Sequence, residues 1–189
     1  MGKKSILYIM SIDWKWIYQR PQILAEMLGE DYDVTVVFPR FIWQRRMGAE
    51  NKGLRFRPLW KLPFQERFKL LTGISNWINR KIFKDIHQYD YIYLGYPLYI
   101  RHIPDTYRGK LIYDCMDNYE ALYPLKRSLV KLIASEEEVV KKCDVLIVSS
   151  EMLRRKVDQI VGYPKSVLIR NGMFLKNIAE VKETKKKKL

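Results

Sequence analysis

The chain has 189 residues, 48% of them hydrophobic and 13% aromatic, with 35 Lys or Arg against 21 Asp or Glu. That length fits one domain with a tail, and that composition argues against a disordered chain. The longest apolar runs are strand-sized, too short for a bilayer-spanning helix of about 20 residues, and two cysteines and two histidines without a cluster argue against a structural metal site.

The N-terminal stretch "MGKKSILYIM" begins with charge but has a short apolar run and no small-residue cleavage site, so a cytosolic start is expected. Cys115 and Cys143 are expected as buried thiols in a reducing compartment. The net charge of +14 is uneven: residues 40–110 hold fifteen Lys or Arg against five acids, while residues 1–39 hold four against five. Such a block is either a solvated basic surface or an attractor of polyanions: nucleic acid, anionic lipid or phosphate-bearing substrates.

In chain order, strand-like runs fall at 5–10, 33–38, 54–59 (the weakest), 91–95, 110–114, 144–149 and 166–170. Their near-continuous apolar character predicts strands buried on both faces. Helical spacing lies between them, first over 21–28 with Gly29 as the stop. A second run covers 64–86, with Phe64, Phe68, Leu71, Ile78, Ile82 and Ile86 on one face and Gly73 as a break. Two more cover 125–143 and 151–161, the last ended by "GYP". The alternation predicts an α/β, Rossmann-like domain over 1–172, a mostly parallel sheet of about seven strands with helices on both faces, and then a basic tail over 173–189.

In such sheets ligands sit beyond the carboxyl ends of the strands. After the first strand comes "SIDWKWIYQR", without the G-x-G-x-x-G turn of a dinucleotide site. Asp13 is an acceptor there, Trp14 and Trp16 are flat walls for sugar faces, and Arg20 at the helix start is an anion seat. The competing reading makes the tryptophans core anchors and pairs Arg20 with an acid. "YDCMDNYEAL" puts Asp114 at a strand end and Asp117 three residues on. A carboxylate there accepts from hydroxyls or takes a proton; Asp117 or Asn118 serves equally as the cap of the next helix.

The ordered series "DWKWIYQRPQILAEML", "YDCMDNYEAL", "SEEEVVKKCDVLIVSSEMLRRKV" and "VLIRNG", spanning about residues 5–172, resembles the N-terminal half of a GT-B glycosyltransferase. The group it is most similar to is the bacterial family 4-like enzymes, including teichuronic acid and surface-polysaccharide transferases. The resemblance implies an acceptor-binding half, with a sugar or lipid-linked acceptor as partner and no cofactor of its own. The nucleotide-sugar donor is expected in a C-terminal domain absent from this sequence, so this fragment alone is expected to be inactive. An alternative is a non-catalytic binding or membrane-anchoring subunit that pairs with a separate donor-binding chain. Ser11, Asp13, Trp14, Trp16, Arg20 and Gln22 would form an acceptor wall, opposite Tyr96, Asp114 and Asp117, with Asp117 as base. Asn171 and Gly172 resemble the hinge between two domains. Tyr96 stands where some relatives carry a histidine.

The basic block mixes aromatics and cations, and Trp60, Lys61, Arg67, Lys69, Trp77, Arg80 and Lys81 are read as an interface to an anionic membrane, peripheral on the cytoplasmic face. No helix-turn-helix, zinc or RRM pattern supports specific nucleic-acid binding.

Overall fold

The structure is a computed structural model that describes residues 2–44, 53–65, 67–122 and 128–172. The expected tail over 173–189, Arg45, Arg46 and the start of the third helical run at 125 lie outside the described residues. All seven expected strands form: β1 (Ser5–Ile9), β2 (Asp33–Phe41), β3 (Leu54–Lys61), β4 (Tyr91–Leu94), β5 (Lys110–Cys115), β6 (Val145–Val148) and β7 (Ser166–Leu168). They make one sheet, all pairs parallel, in the order β3-β2-β1-β4-β5-β6-β7. The helices are α1 (Arg20–Asp31), α2 (Lys69–Lys84), α3 (Tyr119–Leu122), α4 (Ser128–Lys142) and α5 (Glu151–Val161), with 3-10 turns at Ile86–Gln88 and Pro97–His102.

Because side chains alternate across a strand, the core divides in two. One cluster joins Leu7, Ile9, Val37 and Leu94 to Ile82 of α2, Val139 and Val140 of α4 and Val157 of α5. The other joins Ile6, Tyr8, Val34, Val36 and Phe38 to Ala25 of α1. Helices thus flank both faces, with α1 packed against β2 and β3 on its own face. Val145, Val167 and Ile169, at the other end of the sheet, are exposed.

Two glycines expected as helix punctuation lie inside helices. Gly29 is a residue of α1, and a Cβ there would sit 2.7 Å from Leu54 Cδ2, so glycine allows the helix to pass close to β3. Gly73 lies within α2, where a Cβ would meet nothing within 4 Å. Gly162 does end α5: its φ of 84° is left-handed and its N–H reaches Asp158 O at 2.8 Å. Ser150 caps the other end, its hydroxyl accepting from Leu153 N.

The face expected for the second helix is also different. Ile82 and Ile86 are buried, but Phe64 and Phe68 precede α2 and are exposed. The other deeply buried members of the helix are Ser75 and Asn79. β3 is an edge strand whose outer backbone groups need partners. Asn79 supplies them by accepting from Trp60 N at 2.9 Å and donating to Trp60 O at 2.8 Å, and Ser75 donates to the same oxygen at 3.0 Å.

Candidate functional site

Strand order reverses between β1 and β4, which opens a crevice at their carboxyl ends. Gly95 keeps it narrow: its N–H bonds Ile9 O at 2.8 Å, and a Cβ would lie 3.3 Å from the same oxygen. Ser11, Asp13, Trp14 and Trp16 follow β1, Tyr96 follows β4, Asp114 is the last residue but one of β5 with Asp117 beyond the strand, and Asn171 and Gly172 follow β7. All of them therefore stand at the same edge of the sheet.

Arg20, the first residue of α1, is the junction of this edge. Its Nε and Nη2 donate to the two oxygens of Asp114 at 3.0 and 2.9 Å, while Nη1 donates to Ile169 O at 2.8 Å and Asn171 Oδ1 at 3.3 Å. The Asp114 side chain is 0% exposed and that of Arg20 9%. Burial alone would lower the Arg20 pKa, but the bonds and charge of Asp114 raise it above the ordinary arginine value. Tyr93 OH, stacked on Tyr8 at 4.5 Å, also donates to Asp114, at 2.9 Å. The guanidinium is thus committed to protein partners, and it ties the turn after β7 to the start of α1.

The segment after β1 is braced from within. Gln22 is buried, accepts from Gln19 N and donates to the carbonyls of Trp14 and Ile17, each at 3.3 Å. Trp14 is buried and packs on Phe56 at 4.8 Å, while Trp16 presents its ring to solvent. Asp13 Oδ1 accepts from Lys15 N at 2.7 Å. Its Oδ2 lies 3.9 Å from Nε of Arg40 near the end of β2, and Oδ2, Nε and Nη1 are all buried without a hydrogen-bond partner among the described residues. Arg40 was not singled out from the sequence. It sits inside an apolar strand run, and nothing local marks it as buried.

Across the crevice, Tyr96 stacks edge-on against Tyr119 at 5.6 Å, two residues from Asp117. Ala121 and Leu122 donate to Asn118 O, so Asn118 stands at the head of α3, yet its Oδ1 is buried and finds no hydrogen-bond partner among the described residues. Asp117 is exposed overall. Partial burial of its carboxyl, and then the charge on Asp114, raise its pKa above the ordinary value. Such a carboxylate accepts a proton more readily than a free one. Next to this rim, Glu136 is buried and pairs with Lys156 at 2.7 Å, beside the Cys115 thiol, which burial pushes up. Among the described residues no group of three His, Cys, Asp or Glu is arranged to hold a metal.

The chain was compared with known proteins. No protein-family model matches it, and no curated protein matches it significantly. Solved structures do. A sucrose-phosphate synthase from Thermosynechococcus elongatus is 14% identical, with a TM-score of 0.57 over 96% of this chain and 96% of that one. Anabaena Alr3699/HepE, solved with UDP and glucose, is 16% identical, with a TM-score of 0.58 over 97% of this chain and 50% of that one. Glycyrrhiza uralensis UGT73P12, complexed with glycyrrhetinic acid 3-O-monoglucuronide, is 9% identical, with a TM-score of 0.56 over 89% of this chain and 49% of that one. The chain spans about half the length of the last two. At these identities the likeness is one of architecture: the chain has a GT-B-like glycosyltransferase fold.

Proposed function

We propose that the chain is the acceptor-binding half of a glycosyltransferase that moves a sugar from a nucleotide-sugar donor to a glycan or lipid-linked acceptor in cell-surface polysaccharide synthesis. The observation that carries the reading is the gathering of Asp13, Trp16, Tyr96 and Asp117 along one edge of the sheet, around the crevice between β1 and β4. An exposed indole, an aromatic rim and a carboxylate of raised pKa suit a hydroxyl-bearing ligand. Asp117 takes the hydroxyl proton, Trp16 stacks on a sugar face, and Asp13 accepts from a hydroxyl. Ser11 lines the same segment. Arg20, Gln22, Trp14 and Asp114 hold these groups in place. The donor site belongs to a further domain beyond the Asn171–Gly172 turn, or to a separate chain, and closure over the crevice excludes water. Resemblance in sequence to surface-polysaccharide transferases supports the substrate class, and the reading sets the protein in the cytoplasm.

Calorimetry tests the assignment. The chain should bind oligosaccharide acceptors and show no measurable affinity for nucleotide sugars. Tight binding of a nucleotide sugar would mean that the donor-binding half had been taken for its partner.

A further inference from the structure

α2 is built inside out. Its outward residues Leu70 and Trp77 are 76% and 74% exposed, while Ser75 and Asn79 on the inward face are 4% and 6% exposed. The inversion has a cause on the inner side, where the edge of β3 takes polar partners from the helix. The outer side has no such cause among the described residues. Leu70, Ile74 and Trp77, three and four residues apart, form one exposed stripe. The turn before the helix continues it with exposed Phe64 and Phe68. Phe64 holds a φ of 56°, a left-handed conformation that a bulky side chain rarely adopts, fixed by bonds from Arg67 N and Phe68 N to its carbonyl at 2.9 and 3.2 Å.

Charge selects the occupant. Residues 61–85 carry six Lys or Arg and two acids, Glu66 and Asp85. Lys69, Arg80, Lys81 and Lys84 are exposed on the same helix, Lys81 and Lys84 following Trp77 at four- and seven-residue spacing, and the Arg67 guanidinium lies 5.9 Å from the Phe68 ring. An apolar stripe with cations at both of its ends matches an anionic lipid surface, with the rings at acyl depth and the cations among the headgroups.

We propose that the outward face of α2, with the Phe64–Phe68 turn, docks the protein onto an anionic membrane surface. The face is directional. Phe64, Phe68 and Leu70 lie at the end of α2 nearest the carboxyl edge of the sheet, and Arg80, Lys81 and Lys84 lie toward the other end. The apolar end therefore enters the lipid deepest and tilts the crevice mouth toward the headgroups. Trp60 and Lys61, on β3, are half-buried and sit off this face. The proposal rests on the helix and the turn before it and does not depend on sugar transfer.

The test is co-sedimentation of the full chain with phosphatidylcholine vesicles, with and without about one third phosphatidylglycerol, alongside tryptophan fluorescence. Anionic vesicles should bind more than about tenfold better and shift the emission to the blue. A Leu70→Glu/Trp77→Glu variant, folded by circular dichroism, should lose more than about tenfold. Changing Lys185, Lys186, Lys187 and Lys188 to Gln should leave most of the binding. Binding that survives the first variant and disappears in the second would assign the membrane to the tail and overturn the proposal. A soluble dimer that the first variant dissolves, with no vesicle binding by the parent, would overturn it in favour of a second copy of the chain.

Discussion

Two arginines near the same edge of the sheet are buried to similar depth and meet opposite circumstances. Arg20 finds both oxygens of Asp114, a carbonyl and an amide oxygen. Arg40, 6% exposed, lies 3.9 Å from Asp13 and leaves Nε and Nη1 unbonded. Burial of charge is the same expense in both cases, but only the first arginine recovers it through hydrogen bonds. Arg20 is thus a structural tie between α1, β5 and the turn after β7. Arg40 is a cation two of whose donors, Nε and Nη1, find no hydrogen-bond partner among the described residues.

The largest expected effect comes from breaking the satisfied pair. Arg20→Ala leaves the Asp114 carboxylate buried without a counter-charge and should cost about 3–5 kcal/mol in urea denaturation; a loss below about 1 kcal/mol would mean that the pair is dispensable. Asp117 sharpens the contrast from the acid side, because its ionised form is penalised by burial and by Asp114. On the proposed function, Asp117→Asn should lower turnover more than about tenfold once the chain is joined to its donor-binding half. The same variant should be more stable than the parent at pH 7. The sign follows from a folded pKa above the unfolded one: the ionised group opposes folding at neutral pH, and the gain vanishes below about pH 4, where the parent is protonated in both states.

A smaller effect concerns His102, which stacks on Phe83 at 4.4 Å and whose pKa burial, and then Arg101, lower to about 4. The unfolded chain takes up this proton near pH 6.5 and the fold resists it, so stability should fall on acidification from about pH 6.5 to 4. Melting curves of His102→Phe should lack that component. The smallest change is expected at the unsatisfied arginine. Arg40→Met removes two unbonded buried donors along with a loose ion pair, and should stay within about 1 kcal/mol of the parent. A loss near that of Arg20→Ala would erase the distinction between the two.

Apolar runs of strand length with helical spacing between them were enough to read the sheet and its order of elements, because burial on both faces is written residue by residue. Gly162 was legible for the same reason, since a left-handed helix end is a local requirement. Gly29 was not: its role depends on Leu54, far along the chain, coming within reach of its missing Cβ. Nor was the partner of Arg20, which is 94 residues away. Apolar spacing also misjudged α2, where the inner face answers to the backbone of an edge strand and so takes Ser75 and Asn79 in place of leucines. At the site, "DWKW" offered two equivalent indoles, and only packing against Phe56 separates Trp14 from Trp16.

The Asn79 amide has one more consequence. By bonding both the N–H and the carbonyl of Trp60, it occupies the place that an incoming strand would fill, and Arg55, Arg57 and Pro58 discourage zippering along the rest of that border. The opposite border is three residues long. Both rims of the sheet are thus poor templates for an added strand.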